Sequence, residues 1–180
     1  MKLLTFILLF IYSTLSFAQE NTPIEALGQN EGYAIIAIYS KGYAEKIVLE
    51  GAGFGNTHTF GPLDYEQHFS VVKLKAGTYH WEKVHRKIGQ SLTQTTRFDE
   101  LDLSFNVEAG KLNYTGLLMF ETDNNQSSAK ILNRTSIILS ITKQDFPQYL
   151  KQFSVVNGIY PNDQYIGFFL NKSKPVQQGE

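Results

Sequence analysis

Histidine and carboxylate side chains that could bind a metal ion or act in acid–base chemistry are concentrated in one short segment. His80 and Glu82 are two residues apart, and residues at this spacing in a β-strand project from the same face. A zinc site of two histidines and one carboxylate would require His58 or His68 to approach them. None of the 4 histidines has a recognisable ligand spacing such as H-x-H or H-E-x-x-H. We therefore expect solvent-facing strand histidines and no cofactor, with His80 and Glu82 as the only metal-ligand candidates.

Patterns typical of covalent catalysis or phosphate binding are missing. No serine lies in a G-x-S-x-G elbow, and the sequence has no cysteine nucleophile. Residues 51–55 read GAGFG, but a phosphate-binding loop needs a helix directly after its glycines, and residues 56–62 have no helical period. Glu100 and Asp102 would share the wet face of a strand, where solvated carboxylates are common. The sequence therefore predicts that this protein is not an enzyme.

Aromatic residues are the one excess in the composition, with 13 Phe, 10 Tyr and 1 Trp. An amphipathic ring offers a flat apolar face and a polar tip, which suits contact with a sugar or a peptide. The candidate ligand-contact residues are Trp81, Tyr79 and Tyr65, with Trp81 the strongest of the three. The alternative is that these rings belong to the core and rim of the fold, and the spacing does not decide between the two.

The charge balance and the lack of cysteine exclude several partners and anchors. The chain has 16 Lys+Arg and 17 Asp+Glu, a formal net charge of −1. Proteins that neutralise nucleic-acid phosphates carry a basic excess, so we expect no nucleic-acid partner. Without cysteine there are no disulfides and no lipidated cysteine of the bacterial lipoprotein type, so no lipid anchor is expected.

The N-terminal residues have the pattern of a secretory signal. Lys2 precedes an apolar stretch over residues 3–17, and small residues stand three and one positions before a cut after Ala18. Residues 1–18 are therefore predicted to be a signal peptide, since an anchor helix needs about 20 apolar residues. An exported domain of this size without cysteine fits a bacterial periplasmic or secreted protein, and no later segment predicts a transmembrane helix.

Short β-strand patterns separated by glycine turns follow a loose polar leader over residues 19–31. Residues 101–107 alternate apolar and polar side chains with a period of two, which indicates a strand with one wet face. Residues 33–39 form a nearly continuous apolar run, which predicts a strand covered on both faces and paired with residues 45–49. In residues 111–120, the side chains of Leu112, Tyr114, Leu118 and Phe120 are expected to share one face. Further strands are predicted over residues 69–74, 78–84, 129–141 and 164–170.

One helix is expected near the C-terminus, with Asp145 as its cap and Pro147 in its first turn. Seven or eight short strands predict a mainly β fold, an antiparallel β-sandwich with one short C-terminal helix. A small β-barrel is the alternative, because both architectures bury one face of each strand. The helix is expected at an open edge or end of a single domain over residues 32–170, followed by a polar tail over residues 171–180.

Two turn segments carry a resemblance to a known class of domain. Residues 74–84 read LKAGTYHWEKV and residues 105–116 read FNVEAGKLNYTG. Over residues 33–120 the chain resembles small secreted bacterial β-sandwich domains of unknown function, of the carboxypeptidase-regulatory or PEGA type. The resemblance implies a non-catalytic accessory domain and carries over no functional residues.

The expected function is therefore that of an exported, non-catalytic accessory protein of the bacterial cell envelope. It would act as a protein-interaction or structural module, with a strand edge or a tyrosine-rich loop as its contact surface. The partner would be an envelope protein or a glycan. A carbohydrate- or peptide-binding module that uses exposed aromatics is the alternative, and a hydrolase is the least favoured reading.

Overall fold

The computed structural model describes residues 23–53, 55–88, 92–99, 101–123, 126–161 and 163–172. The signal peptide predicted over residues 1–18 lies outside the described residues, as does most of the polar tail. The strands are β1 (Glu31–Lys41), β2 (Tyr43–Ala44), β3 (Lys46–Gly51), β4 (Thr57–Phe60), β5 (Leu63–Asp64), β6 (Gln67–Lys75), β7 (Gly77–Ile88), β8 (Leu92–Arg97), β9 (Ser104–Val107), β10 (Leu112–Asp123), β11 (Gln126–Leu132) and β12 (Val155–Asn157). The helices are α1 (Thr135–Asp145), α2 (Pro147–Gln152) and α3 (Tyr165–Lys172).

Two open sheets form a sandwich. The first sheet has the strand order β11-β10-β1-β6, and β12 also pairs with β10. The second sheet has the order β4-β3-β7-β8, and β9 also pairs with β7. Strands β2 and β5 form a separate two-stranded ribbon. The mainly β sandwich is confirmed, and the barrel alternative is wrong because the sheets formed by the described strands do not close.

The core between the two sheets consists of apolar side chains from the facing surfaces of both. The first sheet contributes Ile36 and Ile38 of β1 and Leu118 of β10. The second sheet contributes Leu49 of β3 and Trp81 of β7. These side chains are almost fully buried, and burial of this kind is the main favourable term in folding.

The first sheet has a second apolar face, which is covered by the helical layer of α1, α2 and α3. Tyr33 and Ile35 of β1 belong to this second core together with Ile138 of α1 and Ile166 of α3. The alternate residues of β1 face the other sheet, which confirms the prediction of a strand covered on both faces. The expectation of one helix at an edge or end is wrong, because three helices pack on the face of the sheet.

Two segments predicted as strands are partly helical: the first becomes helical after its opening residues, and the second is helical over most of its length. The strand expected over residues 129–141 ends at Leu132, and α1 begins at Thr135. The strand expected over residues 164–170 lies mostly in α3. In α1 the buried Ile138, Leu139 and Thr142 recur at helical spacing, so one stripe packs on the sheet although β-branched residues favour strands.

The strand pairing departs from the fully antiparallel arrangement that was expected. β1 runs parallel to β10, and β10 runs parallel to β12. β3 pairs with β4 and β7, not with β1. The described chain changes sheet four times, between β1 and β3, β4 and β6, β6 and β7, and β9 and β10, so neighbours in sequence contribute to opposite sides of the core.

Strand β10 changes the face on which its apolar residues lie. Between the pairs Ile35–Tyr114 and Ala37–Leu117, two steps on β1 match three steps on β10, which is a β-bulge. Gly116 at the bulge has a φ of +79°. Leu112 and Tyr114 before the bulge pack under the helical layer, whereas Leu118 and Phe120 after it face the second sheet. The expectation that Leu112, Tyr114, Leu118 and Phe120 share one face is therefore wrong.

The described part of the leader is tied to the fold. Ile24 and Leu27 pack against the second core. The hydroxyl of Tyr33 donates a hydrogen bond to the carbonyl of Glu25, whose carboxylate pairs with Lys73. Residues 23–30 are therefore not loose, because they cover apolar surface beside β1.

Within the described residues, no helix is both long enough and apolar enough to cross a bilayer.

Candidate functional site

Two of the three aromatic residues predicted as ligand contacts lie in the core. The side chains of Trp81 and Tyr79 are 2% and 1% exposed. The Trp81 ring lies 5.5 Å from the Phe60 ring, and the Tyr79 ring stacks on Phe105 at 5.9 Å between ring centres. A bound sugar needs an aromatic ring with one face open to solvent. The prediction that Trp81 and Tyr79 contact a ligand is therefore wrong, because both rings are buried. Alternation along β7 places both rings between the sheets.

Tyr65, the third candidate contact, has the opposite environment. Its side chain is 75% exposed, and it lies between β5 and β6 with a φ of +48°. Because Tyr79 and Trp81 are enclosed by the core, the three candidates share no surface that a ligand could reach. Tyr65 stays available as a single exposed contact residue.

The histidines do not assemble around His80 and Glu82. His80 pairs in register with Glu50 on β3, one residue beyond the buried pair Leu49–Trp81, so its exposed side chain points away from the core. His58 contacts the ring of Tyr79, and His68 contacts the ring of Phe60.

Those contacts place His58 and His68 on the core side of their strands, with the second sheet between them and His80. Among the described residues, no group of three or more His, Cys, Asp or Glu side chains could hold a metal ion. The zinc arrangement considered from the sequence is therefore wrong, because these side chains lie on opposite faces.

Glu82 lies instead in an ion-pair cluster beside a cleft of about 240 Å³. It occupies a bulge in β7, since Val48 pairs with Lys83 and the next residue, Leu49, pairs with Trp81. Its carboxylate Oε1 lies 3.0 Å from Lys83 Nζ and 2.9 Å from a terminal nitrogen of Arg97.

Opposing effects act on the pKa of Glu82. Burial raises it, whereas hydrogen bonds with Lys83 and Glu50 and the charges of Lys83 and Arg97 lower it, and the net pKa is lowered. Arg97 also pairs with Asp99 at 2.9 Å. The charge of Glu82 is thus offset by two cations within the cluster, which is typical of a structural network that holds a bulge.

A large concavity lies in the helical layer. It is a groove of about 710 Å³ lined by residues of α1, α2, β12 and α3 and of the segment between α2 and β12. Its lining is mainly apolar and comprises Pro147, Leu150, Phe153, Val155, Ile166 and Leu170. We call this feature the groove.

The polar part of the groove lining is basic. Lys143 lies in the last turn of α1 and Lys151 in the last turn of α2. Gln152 and Ser154 complete the polar lining, and the described lining includes no carboxylate. Gly167 of α3 forms part of the wall, and a Cβ added there would meet no atom within 4 Å. The groove therefore combines an apolar floor with two cationic side chains.

The sequence interpretation missed the groove because it assigned one of its walls to a strand. A signal was present in residues 164–170, where Ile166, Phe169 and Leu170 recur at three- and four-residue spacing. All three side chains belong to the second core or pack against it. Exposed aromatic residues also surround this layer, among them Tyr160 and Phe168, at 54% and 55% exposure.

Comparison with known proteins adds no relative. No family model, curated protein or solved structure matches this chain. The resemblance to domains of the carboxypeptidase-regulatory or PEGA type over residues 33–120 stays a prediction.

Proposed function

We propose that this protein is an exported, non-catalytic binding module of the bacterial cell envelope and that the groove is its contact site. The observation that supports the proposal is the groove itself, about 710 Å³ in volume and mainly apolar in lining. Small-molecule sites are clefts of about 300–1,000 Å³ with mostly apolar walls and few polar groups. The groove has this size and this composition.

A non-catalytic role is supported by the state of the ionisable groups. Glu82 is the one charged residue that is buried among those the structure describes, and its charge is balanced by Lys83 and Arg97. The lining of the groove offers lysine, glutamine and serine side chains but no histidine or carboxylate in its described part. General acid–base catalysis most often uses a positioned histidine or carboxylate, so the groove is better suited to binding than to chemistry.

Export is part of the proposal and is supported by the signal pattern of residues 1–18. A periplasmic or secreted location follows from cleavage after Ala18. N-terminal sequencing of the protein recovered from the periplasm or medium tests this directly. A chain that begins at Gln19 is the expected result, and a chain that keeps residues 1–18 in the cytoplasm would contradict it.

Blocking the groove tests the binding function. Gly167→Trp places an indole on the wall where a Cβ meets only open space, so the fold is expected to tolerate it. Phe168→Trp puts the same ring on an exposed neighbouring position of α3 that is not part of the described lining. Each variant is incubated with envelope extract of the encoding organism, and bound lipids, small molecules and proteins are identified by mass spectrometry.

The expected result is that molecules enriched on the unmodified protein and on Phe168→Trp are lost from Gly167→Trp. Equal enrichment on all three proteins, or no enrichment on any, would overturn the groove as the contact site. Circular dichroism and thermal unfolding of each variant establish that the comparison is made between folded proteins.

A protein-interaction module that uses a strand edge is the second candidate. Strand β6 is nine residues long and pairs with β1 on one side, and no described strand pairs with its other side. Such an edge can accept an added strand through main-chain hydrogen bonds. Hydrogen exchange distinguishes the candidates, because a strand partner would protect alternate amides of β6 and would bind Gly167→Trp as well as the unmodified protein.

A further inference from the structure

We propose that the groove binds an amphiphile with one apolar chain and an anionic head group, of the long-chain carboxylate class. This inference rests on the proposed binding function and specifies its ligand. The apolar chain would lie along the floor, and the head group would lie at Lys143 and Lys151.

The apolar lining supports an aliphatic chain rather than a sugar. Leu150, Phe153 and Ile166 offer no hydrogen-bonding side chain, and the described polar lining besides the lysines is limited to Gln152 and Ser154. A sugar left without hydrogen-bond partners would pay a desolvation cost for each hydroxyl, whereas a methylene chain gains about 0.8 kcal/mol for each buried CH₂. The groove therefore favours a hydrocarbon occupant.

The charge of the lining supports an anionic head group. Lys143 and Lys151 are exposed and form no ion pair with a described residue, and no described carboxylate lines the groove. Four other lysines are paired with a glutamate, for example Lys41 with Glu121 at 2.7 Å, whereas Lys75 and Lys130, away from the groove, also form no ion pair with a described residue. The groove is therefore a local cationic site in a chain whose formal net charge is −1. An ammonium group can pair with a carboxylate without demanding a fixed geometry.

Gly167 also lines the groove, in the first turn of α3. Glycine is less favourable than alanine in a helix, by up to roughly 1 kcal/mol in its interior, so helix propensity does not favour glycine here. The position meets open space, so no clash requires glycine there. A side chain at this position would reduce the free volume of the groove.

Probes that differ only in their head group test the ligand class. Decanoate, decanol and decyltrimethylammonium share a chain length and carry a negative, a neutral and a positive head. Below their aggregation concentrations, isothermal titration calorimetry is expected to show decanoate binding about tenfold more tightly than decanol, from two charge-assisted contacts at an exposed rim. The cationic probe is expected to bind more weakly than decanol.

Two paired substitutions separate the head group from the chain. The double variant Lys143→Gln, Lys151→Gln is expected to bind decanoate no better than decanol. The double variant Lys75→Gln, Lys130→Gln makes the same charge change away from the groove and is expected to keep the preference for decanoate. Gly167→Trp is expected to lose all three probes, and Phe168→Trp to keep them.

The possible failures are distinguishable. Equal affinity for decanoate and decanol, both lost in Gly167→Trp, would overturn the anionic head group and leave the binding function standing. Failure of the unmodified protein to bind any of the three probes would overturn this inference alone, because the extract experiment decides the binding function separately. An acidic amphipathic peptide that displaced decanoate from the groove at lower concentration would overturn the choice of ligand class.

Discussion

Tyr114 and Leu118 lie four residues apart on β10 and face opposite sides of the first sheet. Tyr114 is buried under the helical layer, whereas Leu118 is buried between the two sheets. In a regular strand, residues separated by four positions share a face. The bulge at Gly116 adds one residue and reverses the pattern, so a single strand contributes to both cores.

Replacing Gly116 by alanine is expected to destabilise the protein by about 2–4 kcal/mol. The φ of +79° costs a residue with a Cβ about 1–2 kcal/mol, and the added Cβ would lie 2.5 Å from Cγ2 of Ile131. Gly110→Ala is the matched control, because Gly110 has a φ of +68° but open space around it. Urea unfolding measures both. Equal losses in the two variants would show that packing against Ile131 contributes nothing.

Replacing Tyr114 by phenylalanine is expected to cost about 1–2 kcal/mol and to loosen the start of α1. The hydroxyl of Tyr114 accepts a hydrogen bond from the amide of Arg134 at 2.7 Å and donates one to Oδ1 of Asn133 at 3.2 Å. Tyr160→Phe is the control, since Tyr160 is exposed and its hydroxyl bonds to no described residue. Urea unfolding gives the loss, and hydrogen exchange locates it. Unchanged exchange in the first turn of α1 would contradict the role of Tyr114 there.

The lowered pKa of Glu82 predicts a component of acid sensitivity. A carboxylate whose folded pKa lies below its unfolded value of about 4.5 stabilises the fold above that pH, and the contribution is lost as the pH falls through the folded pKa. Glu82→Gln is therefore expected to lose less stability than the unmodified protein between about pH 5 and pH 3. Glu66→Gln removes an exposed carboxylate without an ion pair and controls for net charge. Urea unfolding at several pH values gives the free energy of unfolding as a function of pH. Parallel curves for Glu82→Gln and the unmodified protein would contradict the prediction.

Replacing Tyr65 by asparagine is expected to stabilise the protein by about 0.5–1 kcal/mol. Its φ of +48° lies in the left-handed region, which asparagine tolerates better than tyrosine, and its exposed ring contributes little burial. Tyr160→Asn makes the same change at an exposed position with an ordinary φ and is expected to bring no gain. Thermal unfolding measures both. A lower melting temperature for Tyr65→Asn would mean that the Tyr65 ring supports the fold.

The parts of the fold that follow from local patterns could be predicted from the sequence. The apolar run over residues 33–39 forms the doubly covered β1, and the alternating residues 101–107 include β9. The turns before Gly77 and around Gly110 also lie where expected, because these glycines adopt positive φ. The period of apolar residues and the residue types of a turn are local properties, so they can be read from a single sequence.

The parts that depend on distant contacts could not be predicted in the same way. The isoleucines of residues 137–141 favour a strand by propensity, but the face of the first sheet selects a helix that buries Ile138. The alternation of side chains along β7 places Trp81 on one face of the strand, but it does not determine which face is buried. Of the three predicted contact residues, Tyr65 alone is exposed. The groove depends on α3, which tertiary packing stabilises as a helix.

Because β10 and β1 contribute to both cores, the helical layer is not a detachable unit. Removing residues 135–172 would leave Tyr33, Ile35 and Tyr114 as an uncovered apolar surface on the first sheet. The sandwich and the helices should therefore unfold in a single cooperative transition, seen at the same temperature by far-ultraviolet circular dichroism and by the fluorescence of Trp81. A ligand that binds the groove and shifts the helices would therefore also affect the packing of the second sheet. The coupling would run through β1 and β10, which contribute side chains to both cores.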